Sequence, residues 1–289
     1  MFLKNKNTMI IDGHAVAEKI LERTKNKVAE LNEKGIDVTL AVILVGEDKP
    51  SQSYVKHKGL SAEKVGINFT LHKFPADITK EELIKQVKDI QNNPKLTGLI
   101  VQLPLPEPLY TTDVLNAIRP EIDVDCLTDV NLGKIVMKTN TIVPPTPGAV
   151  ITILKDIGTD LVGKDVTIVG TGALVGKPLA IMMMNEGASV TTINSNTKNT
   201  KEKCLGADII VSGVGKKDLV RGDMVKKGAV VIDTGVDFEN GKMFGDVNVE
   251  EIDKIASYVT PTPKGVGPNT VARLLWNTAV CAEQLFKNN

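Results

Sequence analysis

Hydrophobic and polar residues in the first half of the chain follow two patterns in turn, one with helical spacing and one of short apolar runs. Helices are predicted over residues 15–31, 51–65 and 81–90, and strands over residues 38–45, 68–74 and 96–103. Strands that alternate with helices are typical of βαβ units and a parallel sheet. The first half of the chain is therefore predicted to form an α/β domain.

The second half repeats this alternation after a proline-rich interruption. Strands are predicted over residues 165–169, 189–193, 208–211 and 229–232, with a helix over 175–185 and a closing helix that ends near residue 285. Two similar Pro/Gly segments, 143–148 and 260–268, flank this half, and in both a Thr-Pro pair precedes a helix. Proline fixes its own φ and restricts the preceding residue, so such segments suit the crossings between two domains.

Length, charge and cysteine content narrow the class of protein. A chain of 289 residues is long enough for two domains, and its 35 basic residues balance 35 acidic ones, which gives no indication of a nucleic-acid partner. No apolar run reaches the ~18 residues of a membrane span. The amino terminus lacks the apolar core of a secretion signal, so we expect a cytoplasmic protein. The three cysteines share no metal-ligand spacing, which predicts neither a disulfide framework nor a structural metal.

The segment 45–58 carries the first candidate chemistry. Ser51, Tyr54 and Lys58 lie at offsets of 0, 3 and 7, which places a hydroxyl, a phenol and an amine on one side of a helix. Asp48 is a suitable cap for this helix, and Pro50 suits its first turn. The helix follows a buried strand, where open α/β sheets place ligands. From spacing alone, a solvated helix face is the more common interpretation.

A glycine-rich segment predicts a nucleotide site in the second half. Residues 166–176 read as a strand that leads into Gly170-x-Gly172-x-x-x-Gly176 and then a helix. Glycines allow backbone N–H groups to approach a phosphate, and the helix N-terminus favours its charge, although the spacing is one residue longer than the commonest fingerprint. The following strand ends at Ser195 with no acidic residue for a ribose 2′-hydroxyl, so the donors of residues 195–198 favour NADP over NAD.

Several longer motifs occur in a characteristic order along nearly the whole chain. They are the segments at 11–13 (IDG), 98–106 (GLIVQLPLP), 123–125 (DVD), 175–178 (VGKP), 207–216 (ADIIVSGVGK), 228–235 (GAVVIDTG), 245–247 (GDV) and 265–275 (GVGPNTVARLL), together with the Tyr54/Lys58 helix. In this order the chain resembles the bifunctional methylenetetrahydrofolate dehydrogenase/cyclohydrolase family.

The resemblance implies an α/β, two-domain fold with a cleft between the domains. An N-terminal folate-binding catalytic domain would span residues 1–146, and a C-terminal Rossmann-type NAD(P)-binding domain would span 147–267. A final helix, 268–289, would pack back on the first domain. The implied activity is oxidation of 5,10-methylenetetrahydrofolate with NADP+, followed by hydrolysis of the methenyl product to 10-formyltetrahydrofolate. The implied partners are tetrahydrofolate derivatives and a second copy of the chain in a homodimer.

The resemblance also implies the site residues. Lys58, Tyr54, Gln102 and Asp125 would be catalytic, and Ser51, Tyr54, Asp125, Pro263 and Gly265 would bind substrate. Thr146, Gly170, Thr171, Gly172, Ser195, Val236, Gly267 and Thr270 would bind the nucleotide. Lys58 would act beside the one-carbon bridge with Gln102 holding it in place, and Asp125 would accept hydrogen bonds from the pterin.

The chain departs from the family pattern mainly on the nucleotide side. Thr171 replaces an arginine that normally helps to hold the 2′-phosphate, and Asn194 replaces a histidine. Lys264 and Asn269 also depart from the usual PGGVGPMT. On the folate side, Ile122 and Cys126 replace the lysine and glycine that flank the DVD motif, while Asp125 is retained. NAD use is therefore an alternative to NADP use.

Three other functions are consistent with parts of the sequence. One is a dehydrogenase without cyclohydrolase activity, which the retention of Lys58, Tyr54, Gln102 and Asp125 argues against. The second is a short-chain dehydrogenase with a Tyr-x-x-x-Lys pair, but in that class the glycine-rich loop precedes the pair, whereas here it follows. The third is a folate- or nucleotide-binding protein without catalysis, which the altered nucleotide loop motivates.

Overall fold

The computed structural model describes residues 8–239 and 242–287. Most of the amino-terminal stretch that lacks a secretion signal lies outside these residues. In chain order the strands are β1 (Met9–Ile10), β2 (Thr39–Val45), β3 (Asn68–Phe74), β4 (Gly98–Val101), β5 (Asp165–Val169), β6 (Ser189–Ile193), β7 (Ile209–Ser212), β8 (Val230–Asp233), β9 (Asp237–Glu239), β10 (Lys242–Phe244) and β11 (Tyr258–Val259). The helices are α1 (Gly13–Glu33), α2 (Lys49–Lys64), α3 (Lys80–Ile90), α4 (Thr112–Asn116), α5 (Asp129–Val136), α6 (Pro145–Asp156), α7 (Gly176–Asn185), α8 (Thr200–Leu205), α9 (Val249–Ile252) and α10 (Val266–Lys287).

The chain divides into two compact units that are not continuous in sequence. The lysine unit contains residues 18–145 and 271–287, and the glycine-loop unit contains residues 8–17 and 146–270. The division places most of α10 with the first half of the chain. It also places the segment before residue 18 with the second half, where the sequence assigned it to a first domain of residues 1–146.

The lysine unit is built on a three-stranded parallel sheet with the order β3-β2-β4. The central strand β2 is almost entirely buried, since its apolar side chains face packed layers on both sides. Leu83 and Val87 of α3 and Leu99 and Val101 of β4 belong to one hydrophobic cluster beneath this sheet. The predicted bounds of β3 are confirmed, and those of β2 and α3 are confirmed to within one residue.

The glycine-loop unit contains a six-stranded parallel sheet with the order β1-β11-β8-β7-β5-β6. The order in which strands are added reverses beside β5: β6 lies on one side of it, and β7, β8 and β11 lie on the other. This is the arrangement of a doubly wound dinucleotide-binding fold. The first strand, β1, belongs to this sheet, because Met9 and Ile10 pair with Tyr258 and Val259 of β11. A two-residue strand carries no periodic signal, and its partner lies far along the chain.

Candidate active site

Helix α2 begins as its sequence predicts. The Asp48 side chain accepts a hydrogen bond from Ser51 N at 2.8 Å, and Pro50 lies in the first turn. Ser51 is buried, Lys58 is partly buried and Tyr54 remains 37 % exposed. Gly59 lets the helix approach β3, because a Cβ at this position would lie 3.2 Å from the Phe69 ring. The helix is therefore packed closely enough on the sheet to fix the direction of its polar side.

Lys58 is held by a residue that directly follows β4. Its Nζ donates to Gln102 Oε1 at 2.9 Å, and Gln102 Nε2 donates to Leu103 O at 2.6 Å. The Gln102 backbone N–H also donates to Ile43 O of β2 at 2.8 Å. Hydrogen bonds therefore hold both the backbone and the side chain of Gln102. The structure thus brings together Lys58 and Gln102 at the carboxyl edge of the parallel sheet, as the sequence predicts.

Asp125 lies on a loop that a neighbouring carboxylate holds in shape. Asp123, only 1 % exposed, accepts hydrogen bonds from Leu127 N at 3.2 Å, Thr128 N at 2.9 Å and Asn131 Nδ2 at 3.0 Å. Ile122 O accepts from Leu99 N at 2.8 Å, which attaches the start of the loop to β4. Asp123 belongs to the DVD motif, but nothing in its spacing distinguishes a structural carboxylate from a ligand-binding one.

Burial and neighbouring charges shift the pKa values of Lys58 and Asp125. Burial lowers the pKa of Lys58, and the negative charge of Asp125 partly opposes that shift. Burial raises the pKa of Asp125, while Lys58 lowers it and Asp123 raises it. Burial also raises the pKa of Tyr54, which keeps the phenol protonated. An amine with a lowered pKa beside a carboxylate is the arrangement that general acid–base chemistry requires. We call Lys58, Gln102 and Asp125 the lysine centre.

Two substitutions of family glycines occur where the backbone is left-handed. Cys126, directly after Asp125, has a φ of 57°, and Lys264 has a φ of 79°. The left-handed region costs free energy for residues other than glycine. Both loops adopt it here with residues that have less conformational freedom than glycine. The buried Cys126 Sγ lies 3.9 Å from Ile142 O, its hydrogen-bond acceptor. Cys126 therefore holds the residue after Asp125 in a left-handed conformation without the flexibility of glycine.

The glycine-rich loop connects β5 to α7, and each glycine has a different environment. Gly170 has a φ of 107°, and a Cβ there would lie 2.8 Å from Gly213 O. A Cβ on Gly176 would overlap Gly170 O, whereas one on Gly172 would meet no atom within 4 Å. Gly170 and Gly176 thus allow the loop to close on itself, and Gly172 faces open space in front of the helix. This backbone fits a nucleotide phosphate.

Of the predicted nucleotide residues, Gly170, Ser195 and Val236 follow strands β5, β6 and β8 of the same sheet. Gly170 N donates to Ile193 O at 2.8 Å, which places the end of β6, and with it Ser195, beside the loop. Val236 follows β8, and a Cβ on Gly215 would lie 3.1 Å from its carbonyl. Thr146, in the first turn of α6, and Thr270, the fifth residue of α10, have hydroxyl oxygens 3.2 Å apart.

The predicted substrate residues Pro263 and Gly265 belong to the glycine-loop unit, as does Gly267. Gly265 needs its lack of a side chain, because a Cβ there would overlap Pro261 O. Asn269, which stands where the family pattern has methionine, donates from its amide to Gly13 O at 2.8 Å and to Gly265 O at 3.1 Å. The segment of Pro263 and Gly265 is thus fixed by a side chain that the sequence analysis did not assign to the site.

Two buried carboxylates, Asp233 and Asp246, accept hydrogen bonds from the segments that follow β7 and β8. We call this carboxyl edge of the sheet the nucleotide edge. Asp233 accepts from Gly235 N at 2.9 Å, Asp246 N at 3.1 Å and Val247 N at 3.1 Å. Asp246 accepts from Ser212 Oγ at 2.6 Å and from the N–H groups of residues 214 and 216, both at 2.7 Å. Burial raises the pKa of Asp233 to about 6 against these hydrogen bonds. We call this pair the carboxylate clasp; it shapes the loops that follow β7 and β8.

A Cβ on Gly235 would overlap the Asp246 carboxylate, and one on Gly245 would overlap the Asp233 carboxylate. The clasp residues occur in the GAVVIDTG and GDV motifs, but the sequence analysis assigned them no role. Their structural function depends on contacts between residues 13 positions apart, which no local pattern reveals.

Within the described ranges, His, Cys, Asp and Glu side chains form no cluster of three or more that could hold a metal ion. The helices of those same ranges include none with the length and apolar content needed to cross a membrane.

Comparisons with known proteins identify the family. Residues 11–125 match the model of the tetrahydrofolate dehydrogenase/cyclohydrolase catalytic domain, and residues 144–286 match that of the NAD(P)-binding domain of the same family. The chain is 44 % identical over 279 residues to the bifunctional protein FolD of Nautilia profundicola, which covers 96 % of this chain and 98 % of the relative.

Solved structures agree with this assignment. The bifunctional FolD methylenetetrahydrofolate dehydrogenase/cyclohydrolase of Campylobacter jejuni is 39 % identical with a TM-score of 0.93, over 96 % of this chain and 99 % of that one. The Trypanosoma brucei FolD, solved with NADP cofactor and an inhibitor, is 36 % identical with a TM-score of 0.92, over 96 % and 98 % of the two chains. The resemblance and the two-domain α/β class predicted from the sequence are confirmed. The chain belongs to the tetrahydrofolate dehydrogenase/cyclohydrolase family.

Proposed function

We propose that this protein oxidises 5,10-methylenetetrahydrofolate to 5,10-methenyltetrahydrofolate with NADP+ and hydrolyses the product to 10-formyltetrahydrofolate. The observation that carries the proposal is the hydrogen bond from Lys58 Nζ to Gln102 Oε1, beside a carboxylate at Asp125 that is coupled to the lysine. A glycine loop suited to a nucleotide phosphate, in a separate unit of the same chain, supports the oxidative half of the reaction.

Lys58 is the proposed general base of the hydrolytic step. Its lowered pKa makes a neutral amine accessible nearer to neutral pH than for a free lysine. Water adds to the one-carbon carbon of the methenyl cation, and the amine accepts the proton that the water loses. The bond between that carbon and N5 then breaks, N5 gains a proton, and the carbon remains on N10 as the formyl group. Gln102 accepts a hydrogen bond from the amine and so directs the nitrogen towards its substrate.

Asp125 is the proposed anchor for the pterin. Its carboxylate can accept two hydrogen bonds from the exocyclic amino group and an adjacent ring N–H, which fixes the ring in register with Lys58. Tyr54, partly exposed and protonated, offers a ring face and a hydroxyl on the same helix, and the buried Ser51 lies one turn earlier. Pro263 and Gly265 are the proposed wall of the folate site.

A nicotinamide nucleotide bound at the glycine loop would supply the acceptor for a hydride from the one-carbon bridge. Gly170, Thr171 and Gly172 would surround its phosphates, with Ser195 beyond β6 near the 2′ position, and the remaining proposed contacts are Thr146, Val236, Gly267 and Thr270. NADP is our first choice, because residues 195–198 offer hydroxyl, amide and ammonium donors and no carboxylate. The relative from T. brucei was solved with NADP. NAD is the alternative that Thr171 favours, because its hydroxyl cannot replace a guanidinium beside a phosphate. We further expect a cytoplasmic homodimer.

The experiment is a pair of assays on the purified protein. Reduction of NADP+ and NAD+ is measured with 5,10-methylenetetrahydrofolate, and hydrolysis of the methenyl compound is followed above its uncatalysed rate. Turnover with NADP+ together with hydrolysis is the expected result. Turnover with NAD+ alone would make Thr171 a cofactor switch, and hydrolysis without nucleotide reduction would leave a cyclohydrolase. Failure of both reactions would overturn the proposed function and favour a binding protein.

A further inference from the structure

Helix α10 carries a buried amide that reaches the loop of Asp125. Asn277 is 1 % exposed, and its Nδ2 donates to Val124 O and to Val143 O, both at 2.8 Å. One side chain thus joins three segments of the lysine unit that are far apart in sequence. Because Val124 directly precedes Asp125, the amide acts on the peptide unit that aims this carboxylate.

The packing around this contact leaves little room for adjustment. A Cβ on Gly98 of β4 would lie 3.0 Å from Thr278 Cγ2 and 3.0 Å from Val124 Cγ1, so strand, helix and loop meet at this glycine. The loop is attached to β4 through Ile122 O and held in shape by Asp123. Asn277 attaches the Asp125 loop to α10, so the loop is held by both β4 and α10.

Two carbonyl groups depend on the Asn277 amide. Val124 is fully buried and Val143 is partly buried, so loss of the donor would leave acceptors that water reaches poorly. Buried acceptors without donors are costly, and a loop relaxes to satisfy them. Such a relaxation would move Asp125 relative to Lys58, whose pKa it influences.

We propose that Asn277 is a positioning residue of the folate site: by bridging Val124 O and Val143 O from α10, it sets the place of the Asp125 carboxylate relative to Lys58. The inference rests on the proposed function for its catalytic consequence. Asn277 does not touch the reacting atoms in this account and acts through Asp125. Because misplacement by about 1 Å costs on the order of a hundredfold in rate, two hydrogen bonds far from the chemistry matter to it.

The same helix supplies a matched control. Thr278 is also fully buried, but its hydroxyl donates to Leu274 O within α10, at 3.0 Å. Thr278→Val removes a buried hydrogen bond from the helix and keeps the methyl group that packs near Gly98. It therefore reports the effect of lost helix stability without release of the Asp125 loop.

The test compares Asn277→Ala, Asn277→Ser and Thr278→Val with the unaltered protein. Hydrogen exchange of the Leu127 and Thr128 amides, tetrahydrofolate affinity by calorimetry, methenyl hydrolysis and NADP+ affinity are measured for each. For Asn277→Ala we expect faster exchange of these amides, at least about tenfold weaker tetrahydrofolate binding and about a hundredfold lower kcat/KM for hydrolysis. NADP+ affinity should stay within about twofold, and Thr278→Val should behave as the unaltered protein in all four measurements.

Asn277→Ser keeps a single donor on a side chain one bond shorter than that of asparagine, so it can restore at most part of the two hydrogen bonds and its losses should be intermediate; it also carries the test if the alanine variant does not fold. The proposal is overturned if exchange and tetrahydrofolate affinity are unchanged in the Asn277 variants. It is equally overturned if NADP+ affinity falls in proportion, which would indicate general loosening. An unaltered protein without either enzymatic activity would refute the proposed function instead, while amide exchange and folate affinity would still decide the role of Asn277.

Discussion

The lysine centre and the glycine loop are built from different parts of the polypeptide. At the lysine centre, the chemistry resides in side chains: an amine held by an amide and coupled to a carboxylate. At the glycine loop, the backbone conformation is decisive, because Gly170 and Gly176 make close contacts that any side chain would block. The first region constrains residue identity and the second constrains backbone shape. Residue 171 is not one of these glycines, so a change of its side chain leaves the contacts at Gly170 and Gly176 in place.

Removal of the Lys58 amine should have the largest effect on activity. Lys58→Met keeps much of the length of the side chain and removes the proposed base, so methenyl hydrolysis should fall by about a thousandfold or more. Thermal unfolding and NADP+ affinity should change little, because the hydrogen bond of the amine to Gln102 lies within the lysine unit. Stopped-flow hydrolysis and calorimetry measure these quantities. Hydrolysis at the unaltered rate would remove Lys58 from the mechanism.

The folding stability of the glycine loop should depend on the space around its glycines. Gly176→Ala would drive a Cβ into Gly170 O, and we expect a loss of about 1–3 kcal/mol in the free energy of unfolding together with weakened nucleotide binding. Gly172→Ala meets open space and should change the free energy of unfolding by less than about 0.5 kcal/mol. Urea denaturation of both variants provides the comparison. Equal losses would show that closure of the loop on itself is not what Gly176 provides.

Asp125→Ala should separate the two regions functionally. Loss of the carboxylate removes the proposed pterin anchor, so tetrahydrofolate should bind about 10- to 100-fold more weakly, while NADP+ affinity stays near that of the unaltered protein. Calorimetric titration with each ligand tests this. A variant that binds tetrahydrofolate normally would refute the role of Asp125.

A charged side chain in the glycine loop should tune the cofactor without altering hydrolysis. Thr171→Arg supplies the guanidinium that the family normally has, and we expect the preference for NADP+ over NAD+ to rise about tenfold. Because the added interaction is electrostatic, the gain should shrink as ionic strength rises. Steady-state kinetics with both nucleotides at two salt concentrations measure it. An unchanged ratio would place the 2′ position away from residue 171.

The smallest expected effect is a shift in pH dependence. Hydrolysis requires the neutral amine, so its rate should rise with pH through the lowered pKa of Lys58. The Asp125 carboxylate favours the ammonium form and holds that pKa up, so Asp125→Asn should move the rising limb to lower pH. The kcat–pH profiles of the two proteins show the direction. A limb that stays in place or moves to higher pH would contradict the coupling.

Local signals in the sequence were sufficient for the elements that position the lysine centre. The strand of residues 68–74 and the cap at Asp48 follow from apolar patterning and from a side chain that satisfies a helix N-terminus. The helix α6 begins at Pro145, inside a segment read as an interruption, because proline is tolerated in a first helical turn. Strand β1 was not predicted, since only its pairing with β11 defines it.

The site was predictable to the extent that its residues belong to recognisable motifs. Lys58 and Gln102 lie in such motifs, and the structure joins them directly. Asn277 was missed because a buried asparagine on an apolar helix face interrupts the pattern without indicating which distant carbonyls it meets. Asp123 was quoted in the DVD motif, but its role appears only when the amides of Leu127 and Thr128 are placed around it.

The carboxylate clasp limits the evolutionary paths open to the nucleotide edge. Neither Gly235 nor Gly245 can gain a side chain while Asp246 and Asp233 remain, and loss of either aspartate leaves buried donors without acceptors. A single substitution at any of these four positions therefore passes through a destabilised protein, so the four should change together or not at all. Divergence in this half of the molecule is left to positions such as Gly172, whose Cβ would meet no neighbour, and to the side chains that specify one nucleotide over another.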